Sequence, residues 1–515
     1  MALPFPPTPF LSQPFGFAQG KNWGRKGDER SEAGDGEGFA SFEMDKARTS
    51  RSQRRSRLSK DRRLHVIFWG EKSGLQAEMH CLQRGISPQE IRYNCDCGGL
   101  LDVEHDLDSL REQVSRELFD SHLGDAVLPY ASGVWRYREL VLPLDERAIV
   151  SRPEGNTNLY HSPRLNNWLG VDDLYLKHEG ENPTGSFKDR GMTVGVTQAK
   201  FLGCQAVACA STGNTSASLA AYAALAELAA IVFVPQWQIA FGKLAQALAY
   251  GAKTLQVIGD FDAAMKLVCQ ACDELGIYLL NSLNPFRLEG QKSTVFEALQ
   301  QLGWEVPDWI VLPAGNLGNT SAFGKALYEL KELGLIGRMP RLAAVQAQGA
   351  NPFYRSFLGG FQRRERVEAR TIATAIRIGD PVSYPRAVRA LRWTNGLVAE
   401  ATDQEIMDAK ARVDVAGIGC EPASADAVAR ARKLTQAGVI RRDHRVVVVL
   451  TGYLLKDPEA TIAYHRGELE GIAPAYANRP LTVEPTLAAV REALAKQEPE
   501  AGSHRTERTK PCGLF

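Results

Sequence analysis

Four short segments of this chain combine turn-forming glycines with amide and hydroxyl side chains, and one of them carries a lysine that could form an imine. In HEGENPTGSFKDRG, the residues Asn182, Pro183, Thr184 and Gly185 predict a tight turn that leaves Lys188 at the start of the next helix. The positive end of a helix disfavours an ammonium there and favours the neutral, nucleophilic amine. Alone, such a lysine is more often solvated than catalytic. The second segment, Ser211 to Ser216, also opens a helix, where its amides and hydroxyls suit a carboxylate or phosphate as well as a simple cap. In the third, Gly315, Asn316, Leu317, Gly318, Asn319 and Thr320 follow WIVLPA and form a phosphate cradle. It matches neither the Walker pattern nor the dinucleotide fingerprint, which leaves the phosphate of some other cofactor. The fourth, Thr451 and Gly452 after RVVVVL, places a hydroxyl at the end of a buried strand, where it could bond a pyridine nitrogen.

These segments need elements that bring them together. Apolar strand-like runs without polar alternation (LYLKH, AVACAS, AAIVFVP, TLQVIG, IYLLNS, WIVLPAG, RLAAVQAQG, VVVVLTG) alternate with helix-like runs such as SASLAAYAALAEL and SAFGKALYEL. That alternation predicts a parallel sheet covered by helices on both faces, so the fold class is α/β. Ligands of doubly wound sheets bind beyond the carboxyl ends of the strands, and strand-to-helix turns are where the four segments lie. A helix-start lysine, a separate phosphate cradle and a strand-end hydroxyl are together the groups needed to hold pyridoxal 5'-phosphate at three points.

The chain of 515 residues has room for roughly two to four domains. Its 44% apolar and 23% charged residues are ordinary for a soluble protein, and a formal charge of +1 gives no ground for a nucleic-acid partner. The longest apolar stretch, 219–234, contains Tyr222 and Glu227 and reads as a helix followed by a strand, so no membrane span is expected. Nine irregularly spaced cysteines suit a reducing compartment, the cytosol by default. Cys81, Cys95 and Cys97, even with His80, fall short of two paired zinc knuckles, while Cys269 and Cys272 lie one turn apart in a helix-like run and read as core. No metal is expected. Residues 1–63, basic from Lys46 to Arg63, are expected to be a disordered tail. A cysteine-bearing lead-in over 64–142 precedes a catalytic region over 143–480, with a small subdomain at about 190–295; a C-terminal helix and frayed tail take 481–515.

The segments HEGENPTGSFKDRGM, ASTGNTSAS, LNSLNPFRLEGQKS, LPAGNLGN, DPVSYPRAVRALR, EPASA and LTGYLLKDP, in that order, resemble those of threonine synthases, within the fold-type-II pyridoxal phosphate enzymes. The resemblance implies two doubly wound, mainly parallel sheet domains with the cofactor in the cleft between them. It makes Lys188 the residue that carries the cofactor as a Schiff base and moves protons at the substrate's α and β carbons. By the same resemblance Asn214 contacts the ring hydroxyl, Gly315 to Asn319 wrap the phosphate and Thr451 faces the pyridine nitrogen. Ser211, Thr212 and Thr215 then hold the substrate carboxylate. Asn281, Ser282 and Arg287 bind the phosphate of O-phospho-L-homoserine, a dianion suited to an arginine fork. The implied reaction converts O-phospho-L-homoserine and water to L-threonine and phosphate, in a cytoplasmic homodimer.

Two departures stand out. Tyr453 and Leu454 occupy positions where the family usually has His or Asn and then Gly, and the lead-in lacks one cysteine of the family's zinc set. Rival readings are a paralogue acting on another phosphorylated or hydroxy amino acid, like cysteate synthase or a serine or threonine dehydratase, and a non-catalytic, cofactor-binding regulator.

Overall fold

Four consecutive valines, Val446 to Val449, are almost completely buried at the centre of the larger of two parallel sheets, which is where strands without a polar face belong. The computed structural model describes residues 64–68, 87–236 and 241–495, including a C-terminal helix at Leu487–Ala495; the expected tail over 1–63, residues 496–515, His80 and Cys81 lie outside them. In chain order the strands are β1 (Leu64–Phe68), β2 (Leu101–His105), β3 (Leu159–His161), β4 (Asp173–His178), β5 (Ala206–Ala210) and β6 (Ala229–Pro235). They continue with β7 (Lys253–Val257), β8 (Tyr278–Leu279), β9 (Trp309–Pro313), β10 (Arg341–Ala347), β11 (Leu397–Ala401) and β12 (Arg445–Leu450). The large sheet has the order β11-β10-β9-β12-β4-β3 and is parallel except for its antiparallel edge strand β3. The small sheet, β7-β6-β5-β8, is wholly parallel. The expected α/β class and its two mainly parallel sheets are both present.

Three details differ from the sequence reading. TLQVIG is not covered on both faces: β7 is a sheet edge, and Leu255 and Ile258 are 40% and 85% exposed. IYLLNS contributes a strand of only two residues, because Asn281 and Asn284 then turn the chain into a helix. β3 and β11 carried no clear signal, since LYH is short and LVAEA includes a glutamate.

The helices that matter here are α1 (Lys188–Phe201), α2 (Asn214–Ala226), α3 (Pro285–Gln301), α4 (Gly318–Glu332), α5 (Tyr384–Trp393) and α6 (Pro422–Gln436). α1 and α3 touch backbone to backbone, because a Cβ at Gly191 would lie 2.7 Å from the Arg287 carbonyl oxygen and one at Gly290 only 1.8 Å from that of Arg190. Only glycine permits that approach, and it carries Arg287 toward the Lys188 end of α1.

Buried charges lock the same pair of helices. Arg190 donates to Glu179 (2.6 and 2.8 Å) and Glu297 (2.8 Å), and Lys177 donates to Glu297 at 2.6 Å, all with fully buried side chains. These arginine and lysine charges hold Glu297 well below the usual carboxylate range despite its burial. The lead-in shares the core of the large sheet, with Leu101, Phe119 and Trp135 in one cluster with Ile310 and Leu312. Cys269 and Cys272 sit on the helix Phe261–Leu275, Cys272 buried in the small-sheet core; burial pushes the Cys272 thiol up to about 12, as suits a packing cysteine.

Candidate active site

β9, β12 and β4 are neighbours in the large sheet, so the turns leaving their carboxyl ends lie side by side. Those turns carry Gly315 to Asn319, Thr451 and Gly452, and Lys188. β5 and β8 are neighbours in the small sheet and end at Ser211 to Thr215 and at Asn281. Strand order alone thus gathers segments from distant parts of the chain into two rows of loops. Direct bonds then tie the turns together: Phe187 N–H donates to Thr451 O (3.0 Å), Tyr453 N–H donates to Gly185 O (2.9 Å), and Ser186 and Gly452 form an antiparallel bridge.

Lys188 is the first residue of α1 and is partly buried, its ammonium 3.9 Å from the Phe187 ring centre. Burial first, and the Arg287 charge second, push it down to about 7, with Glu421 opposing. An amine near neutrality is what imine formation requires. The next residue fixes the turn: Asp189 accepts from Thr184 N–H (2.7 Å), Thr184 Oγ1 (2.6 Å) and Ser218 Oγ of α2 (2.5 Å), while burial pushes its carboxyl up to about 6.

The cradle begins at Gly315 and leads into α4. Leu317 adopts a left-handed backbone (φ 64°), a conformation that costs a non-glycine residue about 1–2 kcal/mol, and α4 starts at Gly318 with no side-chain cap. Its first amides are thus left to an outside acceptor. Thr320 Oγ1 is buried beside them with no hydrogen-bond partner among the described residues. An uncapped helix start flanked by a hydroxyl that can donate fits a phosphate group, and the residues present therefore fit pyridoxal phosphate at this end. Asn316 instead braces the loops. Its Nδ2 donates to Ser282 Oγ (3.2 Å) and its Oδ1 accepts from Val382 N–H (2.8 Å), joining the two sheets' loops and the segment ahead of α5.

At the other end, Asn214 opens α2 and its Nδ2 donates to both Glu421 oxygens (3.3 and 3.2 Å). Glu421 is buried at the start of α6 and donates its N–H to Gly452 O (3.0 Å); a Cβ at Gly452 would lie 2.2 Å from its Oε1. Ser424, one turn further on, binds Thr451 and Gly452 through three contacts. Its Oγ accepts from Thr451 N–H (2.8 Å) and Gly452 N–H (3.0 Å), and lies 3.0 Å from Thr451 Oγ1.

Arg287 is buried, with one hydrogen bond from Nη1 to Leu280 O (2.9 Å), an unpartnered Nε, and no carboxylate partner among the described residues. Its companions differ. Ser282 faces Asn316, whereas Asn281 pairs its carboxamide with the Ala210 peptide, accepting at 2.9 Å and donating at 3.0 Å, and so holds the end of β5. Ser211 Oγ accepts from Gly213 N–H (3.2 Å), while the hydroxyls of half-buried Thr212 and Thr215 make no hydrogen bond among the described residues.

A model of the pyridoxal-phosphate dependent enzyme family matches residues 150–452, which spans all of these groups except Tyr453. Threonine synthase of Methanocaldococcus jannaschii is 48% identical over 381 residues, covering 72% of this chain and 91% of that protein. Chloroplastic threonine synthase 2 of Arabidopsis thaliana is 45% identical, covering 79% and 81%. The chain belongs to the threonine synthase family of pyridoxal-phosphate dependent enzymes. The solved structure of Escherichia coli threonine synthase shares the fold, with a TM-score of 0.55 at 20% identity, covering 81% of this chain and 98% of that one.

Against the family pattern, Tyr453 leaves the turn intact, because the backbone bonds from Phe187 and Tyr453 hold it whichever side chain follows; the ring is 41% exposed. Sequence reading missed Asp189, Glu421 and Ser424. The signal for the last two was an acid directly ahead of a proline at a helix start, in EPASA, but nothing local showed that this helix start meets a turn much further along the chain.

Proposed function

We propose that the chain converts O-phospho-L-homoserine and water to L-threonine and inorganic phosphate. The observation that carries this reading is Arg287: a buried guanidinium beside the lysine, with no carboxylate partner among the described residues, is costly unless the substrate brings an anion. A dehydratase acting on free serine or threonine has no use for it. Pyridoxal phosphate, when bound, supplies an electron-withdrawing ring that acidifies the C–H bonds next to the substrate's nitrogen-bearing carbon.

The chain's own residues do the rest. Lys188, close to neutrality, takes and returns protons at the α and β carbons. Arg287 holds the phosphate and stabilises it as it leaves from the γ carbon, with Ser282 at the rim. Thr212 and Thr215 offer free hydroxyls to the substrate carboxylate, and Ser211 shapes their turn. Asn281 acts at one remove, by fixing the end of β5. Gly315, Leu317, Gly318 and Asn319 would hold the cofactor phosphate, Asn214 its ring hydroxyl and Thr451 its ring nitrogen, while Asn316 braces the cradle.

Purified protein loaded with pyridoxal phosphate should release threonine and phosphate in equal amounts from O-phospho-L-homoserine. Absence of threonine, with turnover of O-phosphoserine and sulfite instead, would overturn the assignment in favour of the shorter substrate. By family resemblance the working unit is read as a cytosolic homodimer; size-exclusion chromatography tests the dimer. No helix of the described residues is long and apolar enough to cross a membrane.

A further inference from the structure

α5 carries arginines at three-residue steps, Arg386, Arg389 and Arg392, and these line a cavity of about 540 Å³ together with Arg364, Val382 and the loop 97–100 ahead of β2. That volume suits a small molecule. Four of the lining residues are arginines and none is an acid. The carboxylates that hold these arginines lie behind them. Arg386 is buried, with Nε 2.9 Å from Asp102 Oδ1, Nη2 donating to Leu101 O, and Nη1 without a hydrogen-bond partner among the described residues. Arg389 pairs with the same Asp102, and Arg364 shares Asp380 with Arg366. Arg392 is exposed and forms no ion pair among the described residues.

We propose that this cavity is a second anion site, separate from the active site, for a small molecule bearing a phosphate group. Neither Lys188 nor Arg287 lines it, and the Gly315 to Asn319 cradle does not either. A phosphate dianion can engage more than one guanidinium at once, whereas a single carboxylate neutralises only one. The ring contacts of Trp393, also in the wall, go to Tyr328, stacked at 4.5 Å, and to the Arg389 guanidinium at 4.9 Å. Recognition therefore rests on charge rather than on a base laid against an aromatic face. Val382 connects the two sites: it lines the cavity and donates its N–H to Asn316 Oδ1 at 2.8 Å, so the segment leading into α5 touches both the anion site and the cofactor cradle.

Calorimetric titration of the full-length holoenzyme tests it, with the cofactor filling its own cradle. Inorganic pyrophosphate and glycerol phosphate are the two probes, and the tighter one tells free phosphate from a phosphate ester. Binding should weaken about ten-fold in Arg392→Ala, the equivalent of one charge-assisted hydrogen bond, further in Arg392→Glu, and least in Arg392→Lys. Arg392 is exposed, so melting temperatures should match wild type, and the KM for O-phospho-L-homoserine should not change. Binding should also persist in Arg287→Met. No binding of either probe by wild type, or equal affinity in Arg392→Glu, would overturn the inference. Binding lost in Arg287→Met but kept in Arg392→Glu would put the anion in the active site, which overturns the second site and leaves the proposed reaction standing.

Discussion

Replacing Arg287 with methionine should separate catalysis from folding. The guanidinium is buried with one hydrogen bond among the described residues, to Leu280 O at 2.9 Å, and burial pushes it down to about 10. The unfolded value is roughly 12.5. A cation whose folded value lies below its unfolded one is disfavoured by folding at every pH below the folded value, so at pH 7 the charge costs about 3 kcal/mol. Methionine removes that cost, keeps most of the packed stem, and loses one hydrogen bond worth about 1.5–3 kcal/mol. The two nearly cancel, and the melting temperature should hold within a few degrees. Catalysis should not. A phosphate dianion held by two charge-assisted bonds of about 1.5–3 kcal/mol each implies a fall in kcat/KM of about one hundred-fold to ten thousand-fold. The assay is steady-state phosphate release from O-phospho-L-homoserine, with thermal melts of the same samples. A loss under ten-fold, or a collapse in melting temperature large enough to explain the loss, would show that Arg287 does not carry the substrate phosphate.

Capture of pyridoxal phosphate by the apo-protein needs the neutral amine of Lys188, so its rate should rise about ten-fold per pH unit below 7 and level off above; in Arg287→Met, without the second cause of the lowering, the plateau should move to higher pH, and a flat profile from pH 5 to 9 would contradict this. Gly452→Ala would place a methyl 2.2 Å from Glu421 Oε1 and should destabilise the holoenzyme by about 1–3 kcal/mol in urea unfolding, whereas wild-type behaviour would show that the turn has room. Glu297→Gln leaves Lys177 and Arg190 buried without their shared carboxylate and should lower stability by about 3–5 kcal/mol; a change below 1 kcal/mol would show that the network is not needed to hold α1 against α3.

The lysine turn, the cradle and the strand-end threonine were legible in sequence because each is a local motif: turn residues, a glycine pair and a run of valines mark strand ends and helix starts without help from distant residues. The α/β class followed from the same alternation. What stayed hidden depended on partners far along the chain. Ser424 is an ordinary helical serine until β12 places Thr451 and Gly452 above it, and Asp189 gains its role only through Thr184 and Ser218. Asn281 illustrates the opposite case, where the family resemblance implied a ligand of the substrate phosphate and the structure gives its carboxamide to the backbone of Ala210. β7 read as buried because apolar composition alone does not reveal a sheet edge.

Turnover of O-phospho-L-homoserine in heavy-oxygen water gives the sharpest test of the proposed reaction. Elimination breaks the bond between the γ carbon and the phosphate oxygen, and water then adds at the β carbon. The threonine hydroxyl should carry one heavy oxygen and the released phosphate none. Heavy oxygen in the phosphate, with homoserine as the organic product, would mean simple ester hydrolysis and would contradict the assignment of Lys188 and Arg287 to an elimination and addition.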